Sequence, residues 1–201
     1  MIDNDETDPF AWFQRWMTDA EASELNDPNA MSVVTVGAGG RPSARTILLK
    51  GVDPRGFVFY TNIHSRKGDE LAANPWAALL FFWKSLGRQI RIEGKVESVT
   101  AAEADAYYAT RARVSRLGAW ASDQSRPLAA RSDLEHRLAE LEAKYPGDDI
   151  PRPPHWSGYR VLPDRFEFWL DMPYRLHDRT IFTAGPNGGP NCGWVRGKLF
   201  P

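Results

Sequence analysis

The spacing of apolar and polar positions divides the chain into an opening helix and a series of short strands with helices set between them. In "DPFAWFQRWMTDAEASEL", Phe10, Phe13 and Met17 recur at helical spacing, Asp8 can cap the first turn and Pro9 suits it. "AMSVVTV", "SARTILLK" and "FVFYT" read as strands, separated by "GAGGRP" and "VDPRG", whose glycines and prolines favour turns. "SRKGDELAANP" is predicted as a short helix capped by Ser65 and stopped by Pro75. "AALLFFWK" does not alternate, which predicts a strand buried on both faces. "RQIRIEGKVESV" alternates, with Ile90 and Ile92 on one face and Arg91 and Glu93 on the other. Two helices follow: "TAAEADAYYATR", with a Thr100–Glu103 capping box, and "SDLEHRLAELEAKY", with a serine cap and Glu135 three residues on. After the rigid connector "GDDIPRPPHW" come "GYRVLP", "RFEFWL", "YRLHDRTIFT" and "GWVRGKLF", four more strands.

About eight strands joined by connections too short for parallel crossovers predict a mainly β, antiparallel α+β fold. Closing the sheet into a full or partial barrel would remove its exposed edges. The expected organisation is a disordered N-terminus over residues 1–8 and one domain over 9–201.

Composition narrows the function classes. The 201 residues are 42% hydrophobic and 25% charged, an ordinary globular balance. A net charge of −1 argues against non-specific nucleic-acid binding, which usually leaves a basic domain. The single cysteine, Cys192, allows no intramolecular disulfide and no cysteine-based zinc site. "MIDNDETD" is acidic, without the apolar run of a signal peptide, and no stretch has the length of a membrane span. A cytoplasmic protein is the expectation.

Several motifs fail. Pro42 breaks "GAGGRP" as a dinucleotide fingerprint, and the four histidines have no metal-ligand spacing, so no metal is expected. What remains is a set of cations at strand ends. Arg45 and Lys50 bracket "TILL", and Arg66 and Lys67 open a short helix, where free N–H groups and basic side chains suit a phosphate. A solvated basic turn is the plain alternative. Tyr107, Arg111 and Ser115 recur every fourth residue, so on one helix they would share a face of oxyanion donors. Gln124 and Ser125 add neutral hydrogen-bonding groups. In "YRLHDR", Arg175, His177 and Arg179 alternate; on an extended strand they would form one cationic face that needs an anionic partner, either a ligand or a carboxylate such as Glu167 or Asp178.

Taken together, "RTILLKG", "GFVFYTN", "SRKGDEL", "RQIRIEGKVE", "RLGAWASDQS", "PRPPHWSGYR", "FEFW" and "RLHDR" resemble the pyridoxamine 5′-phosphate oxidase family, in that family's order and over nearly the whole chain. The resemblance implies an FMN-binding split β-barrel that works as a homodimer with FMN at the subunit interface. It implies oxidation of pyridoxamine 5′-phosphate or pyridoxine 5′-phosphate to pyridoxal 5′-phosphate, with O2 as acceptor, H2O2 as product and ammonia released from the amine. Carried over by motif, Arg45, Thr46, Ile47, Leu48, Leu49 and Lys50 lie along the flavin. Tyr60, Thr61, Arg66, Lys67, Gln89, Gln124, Ser125, Trp169 and Arg179 complete the cofactor contacts. Lys50, Tyr107, Arg111 and Ser115 resemble the grip on the substrate phosphate. Arg175, Leu176 and His177 resemble the segment over the substrate ring, with Arg175 and His177 as the catalytic candidates.

The chain departs from the family in two places. In some family members an arginine-containing N-terminal segment closes over the substrate; the N-terminus here is short and acidic, so no lid residue is carried over, and "LDMPY" ahead of Arg175 is less polar than expected. "AGPNGGPNCG" reads as a surface insertion. Two other readings keep the fold: an oxidase of phenazine-type intermediates, which would not need the phosphate grip, and a flavin-binding protein without turnover.

Overall fold

A computed structural model of the chain describes residues 6–185 and 193–201. Five helices and nine strands are formed among the described residues: α1 (Pro9–Ser23), β1 (Ala30–Val36), β2 (Pro42–Leu48), β3 (Gly51–Asp53), β4 (Gly56–Asn62), α2 (Arg66–Ala73), β5 (Trp76–Trp83), β6 (Arg88–Ser98), α3 (Ala101–Ala109), α4 (Arg113–Ala121), α5 (Arg131–Lys144), β7 (Trp156–Leu170), β8 (Asp178–Ala184) and β9 (Trp194–Leu199). No helix among them is long and apolar enough to cross a membrane. Cys192 and most of the expected insertion lie outside the described residues, as do positions 1–5 of the expected disordered N-terminus. Glu6 accepts the backbone N–H groups of Thr7 and Asp8 and pairs with Arg15.

All strand pairings are antiparallel. The strands run in the order β2-β1-β5-β6-β7-β4-β3, and β8 and β9 extend the sheet from β7. The two ends of the main path, β2 and β3, are consecutive in sequence and separated only by Leu49 and Lys50. Leu49 N–H donates to Asn29 O on one side and Lys50 N–H to Val58 O on the other. The sheet therefore curls round on itself, with the long β7 shared between the barrel and the β8–β9 extension. That sharing needs a bulge: Glu93 faces Arg165, but Gly94 faces Pro163, so Asp164 is unpaired with β6. Gly94 is required there, since a Cβ would lie 2.0 Å from Leu162 O.

The opening helix packs its buried side chains into the aromatic core of the sheet. Asp8 caps it by accepting Phe10 N–H at 2.9 Å, as its sequence predicts. The buried side goes beyond the predicted stripe and includes Trp12, Phe13, Trp16, Met17 and Ala20. Trp12 stacks flat on Phe168 at 4.4 Å, and Phe13 meets Phe57 and Phe81 edge-on. Such aromatic pairs each add roughly 0.5–1.5 kcal/mol beyond burial.

Four expectations are corrected. The strand "AALLFFWK" is covered on one side only. Ala77, Leu79, Phe81 and Trp83 face the core, whereas Trp76 and Phe82 on the other face are exposed, Phe82 by 57%. The missing alternation marks a second apolar face that the described residues leave uncovered. The helix with Tyr107 breaks at Thr110–Ala112, so Tyr107, Arg111 and Ser115 lie on α3, the connection and α4 instead of one helix. α5 starts one residue ahead of the predicted serine cap; Ala130 N–H donates to the Asp133 carboxylate, three residues on. "YRLHDRTIFT" is not one strand. β8 begins only at Asp178, and Pro173–Arg175 forms a 3-10 turn in which Tyr174 and Arg175 have φ of 58° and 62°. Arg175, His177 and Arg179 therefore share no strand face.

Candidate functional site

Lys67 sits in the first turn of α2, whose N-cap Ser65 accepts Gly68 N–H. The helix turns Lys67 inward and Arg66 outward. Lys67 is 6% exposed, and its ammonium donates to Thr61 Oγ1 at 2.7 Å, Gln124 Oε1 at 2.8 Å and Ser65 Oγ at 3.0 Å. The Thr61 hydroxyl in turn donates a hydrogen bond to Gln124 Oε1 at 3.0 Å. All three acceptors are neutral. Burial, reinforced by the Arg45 charge, pulls the Lys67 pKa down to about 8. A buried ammonium with no carboxylate is costly unless an anion joins it.

Arg111 supplies the second such cation. Its guanidinium lies 4.9 Å from the Trp156 ring, a cation–π contact, and its Nη1 is buried with no hydrogen-bond partner. Burial lowers its pKa, an effect opposed by the nearby Tyr107 and Tyr108 phenols. Trp156 lies flat against Tyr60 at 5.3 Å, and Tyr60 against Tyr107 at 4.1 Å, so three rings form one stack. Gly158 makes this possible, because a Cβ there would come within 2.7 Å of the Tyr60 ring. Lys67, Arg111, Tyr60, Thr61, Gln124, Ser115 and Ile47 line a single cavity of about 350 Å³. A larger cavity of about 560 Å³ between α1 and the β3–β4 turn contains none of the candidate residues and is edged by Asp8 and Asp53 instead of cations.

The remaining candidates fall into two further groups. Gln89, Trp169 and Arg179 form a row across β6, β7 and β8, with Phe82 on the β5 side of Gln89. Arg179 is neutralised: Nε and Nη2 meet Glu167 Oε1 at 2.8 and 2.7 Å, and Nη1 donates to Phe200 O. Glu167, 3% exposed, also faces Arg91 at 2.8 Å. His177 packs on Trp169 at 4.5 Å; its Nδ1 lies 3.0 Å from Asp171 Oδ1 and 3.2 Å from Met172 N, contacts that require opposite tautomers. Arg175 and Leu176 are exposed in the turn beside it. No hydrogen bond, ion pair or ring contact joins this row to the Lys67 cavity among the described residues.

The third group is the Arg45–Lys50 segment. Arg45 is spent internally: Nη1 donates to Thr35 Oγ1, Val33 O and Ser43 O, and Nη2 to Ser43 Oγ and Glu70. Leu49 belongs to the core, Leu48 is half-buried at the end of β2, Thr46 is exposed, and Lys50 is exposed beyond the strand. Ser125 is exposed beside Gln124 with φ of 69°. Among the described residues, three of the four non-glycine residues with positive φ, Ser125, Tyr174 and Arg175, thus lie in or next to candidate positions, where such strain tends to collect.

Sequence reasoning missed Trp156, Asn62, Ser122 and Glu70. Trp156 stood in the quoted "PRPPHWSGYR" but carried no polar chemistry to single it out. Asn62 and Ser122 meet through an Asn62 Nδ2 bond to Ser122 O at 3.3 Å. That pairing spans 60 positions and has no local signal.

A family model for pyridoxamine 5′-phosphate oxidase matches residues 17–145, and one for the pyridoxine 5′-phosphate oxidase C-terminal dimerisation region matches 156–201. A pyridoxine/pyridoxamine 5′-phosphate oxidase of Gluconobacter oxydans is 63% identical over 194 residues, covering 96% of this chain and 94% of that protein. Its counterpart in Sphingopyxis alaskensis is 59% identical, covering 96% and 88%. The crystal structure of PhzG from Burkholderia lata, in complex with tetrahydrophenazine-1-carboxylic acid, superimposes with a TM-score of 0.91 at 34% identity, covering 99% of this chain and 95% of that one.

Proposed function

The chain belongs to the pyridoxamine 5′-phosphate oxidase family, and from that premise we propose that it oxidises pyridoxamine or pyridoxine 5′-phosphate to pyridoxal 5′-phosphate, in vitamin B6 cofactor biosynthesis and salvage. The observation that carries this reading is the cavity holding Lys67 and Arg111, two desolvated cations without carboxylate partners. Phosphorylated ligands supply the charge these groups lack.

The donor set fits FMN. Lys67, with Thr61, Gln124 and the neighbouring Arg66, would hold its phosphate, and Ile47 would flank the ring system. When bound, FMN supplies two-electron chemistry between the substrate and dioxygen, yielding hydrogen peroxide. Arg111, Ser115, Tyr107 and Lys50 would anchor the substrate phosphate, a positioning role that accounts for much of such catalysis. Arg175 and His177 would cover the substrate ring.

We further propose that the working unit is a homodimer with the cofactor at its interface. Three features support it. Among the described residues, no hydrogen bond, ion pair or ring contact joins the Gln89–Trp169–Arg179 row to the Lys67 cavity inside one protomer. Phe82, next to that row, is an exposed aromatic. The C-terminal segment matches a dimerisation region. With one cysteine in the chain, a reducing compartment, the cytoplasm, is the proposed location.

The likeness to PhzG raises oxidation of a phenazine-type intermediate as a second reading. The ligand of that structure carries a single carboxylate, whereas the cavity gathers two cations, Lys67 and Arg111, with the hydroxyl of Ser115, a set better matched to the greater charge and three acceptor oxygens of a phosphate, so the cavity favours the phosphorylated substrate. The deciding experiment offers the purified, FMN-loaded protein both pyridoxine 5′-phosphate and pyridoxine in air. Peroxide and pyridoxal 5′-phosphate from the phosphorylated substrate alone are expected. Bound FMN without turnover of either sinks the assignment.

A further inference from the structure

Glu70 is a carboxylate that pairs with two of the candidate cations, Arg45 and Arg66. It lies on α2, one turn after Arg66, and is 8% exposed. Four donors converge on its carboxylate: Thr35 Oγ1 at 2.6 Å, Ser43 Oγ at 2.6 Å and Arg45 Nη2 at 3.2 Å on Oε2, and Arg66 Nε at 2.8 Å on Oε1. Burial alone would raise its pKa; the bonds from Ser43, Thr35, Arg66 and Arg45 outweigh that and bring it down to about 2. It is an anion at any working pH.

The two arginines use this anion differently. Arg45 has both Nη groups bonded inside the chain. Arg66 is held only through Nε, and its side chain is 63% exposed, so both Nη groups are left without partners among the described residues. A guanidinium backed by a carboxylate at Nε has its planar fork oriented before any ligand arrives. Lys67, the next residue, has no carboxylate of its own.

We propose that Glu70 is a positioning residue for the cofactor phosphate, acting through Arg66: it holds the guanidinium at Nε so that both Nη groups are free to face the phosphate. This rests on the FMN reading given above. A purely structural carboxylate would instead support the fold without distinguishing phosphorylated from unphosphorylated flavin.

The test titrates FMN and riboflavin into the full-length chain stripped of flavin, following quenching of flavin fluorescence, with the apoprotein Tm measured alongside. Glu70→Gln keeps the shape and removes the charge. It is expected to weaken FMN about tenfold, roughly the loss of one charge-assisted hydrogen bond, while riboflavin changes less than twofold. The double variant with Arg66→Ala should bind FMN no more weakly than Arg66→Ala alone. Unchanged or tighter FMN binding by Glu70→Gln, an equal loss for both flavins, or additive losses in the double variant would each overturn the proposal. If Glu70→Gln does not fold, Arg66→Lys answers the question with Glu70 intact. It keeps the charge but has no fork, so a tenfold loss is expected and wild-type FMN affinity overturns the idea. A wild-type chain that binds neither flavin overturns the FMN reading together with this one; normal wild-type FMN binding with indifferent variants overturns this one alone.

Discussion

Lys67 donates to Gln124 Oε1 at 2.8 Å, tying the second residue of α2 to the loop after α4, 57 positions further along the chain. The bond places an ammonium against an amide oxygen where a carboxylate would ordinarily be expected. The candidate site is thereby left with uncompensated charge inside the folded chain.

Lys67→Met should separate folding from binding. The substitution removes a desolvated charge, so the Tm of the flavin-free protein is expected to hold or rise. FMN affinity should fall about tenfold to a hundredfold, corresponding to roughly 1.5–3 kcal/mol of charge-assisted hydrogen bonding. Thermal melts and flavin titration on the same samples check both halves. A lower Tm with unchanged FMN affinity would make Lys67 a structural residue.

The same lysine gives two pH dependences of opposite sign. Its folded pKa of about 8 lies below the ordinary 10.5, so between these values the unfolded chain binds the extra proton. Lys67 therefore penalises the folded apoprotein below pH 8, and that penalty is relieved as pH rises from about 8 to 10.5. Phosphate needs the ammonium form, so FMN affinity should decline as pH rises through about 8. Denaturant melts and titrations from pH 7 to 10 test this, and Lys67→Met should lack both trends.

Arg111→Met should act on substrate and spare the cofactor. Arg111 lines the cavity, leaves its buried Nη1 without a hydrogen-bond partner among the described residues, and rests on Trp156 by a cation–π contact worth about 0.5–2 kcal/mol, which an aliphatic chain replaces only in part. The expected result is a KM for pyridoxine 5′-phosphate raised at least about tenfold, with FMN affinity within twofold of wild type. Equal damage to both would place Arg111 on the cofactor side.

Phe82→Asp probes the interface. Phe82 lies on the uncovered face of β5 and contributes nothing to the protomer's core. A charge there should leave the fold intact and shift the protein from dimer to monomer in sedimentation velocity. Bound flavin should be lost with the partner's Gln89–Trp169–Arg179 row. A monomer that still holds FMN at wild-type affinity would show that one protomer carries the whole cofactor site.

How much of this was legible in the sequence depended on how local the physics is. Asp8, Ser65 and the Thr100–Glu103 box are read correctly because a cap and its acceptor lie within a few residues. The period of two in "RQIRIEGKVESV" gives β6 for the same reason: Ile90 and Ile92 face the core. The residue types at the cavity also declare themselves as anion-binding donors, and the order of several motifs carries the family.

Tertiary structure decided how those residues are used. Spacing alone put Arg175, His177 and Arg179 on one strand and Tyr107, Arg111 and Ser115 on one helix. Two consecutive positive-φ residues and the break at Thr110–Ala112 undo both groupings. Which cations are neutralised depends on carboxylates brought in by the fold. Glu70 reaches Arg45 from 25 positions away and Glu167 reaches Arg179 across a strand pair, while Lys67 and Arg111 receive none among the described residues. Charge is written in the sequence one residue at a time. Its compensation is a through-space property of the closed sheet, and only the folded chain separates the cations that hold the protein together from those left for a ligand.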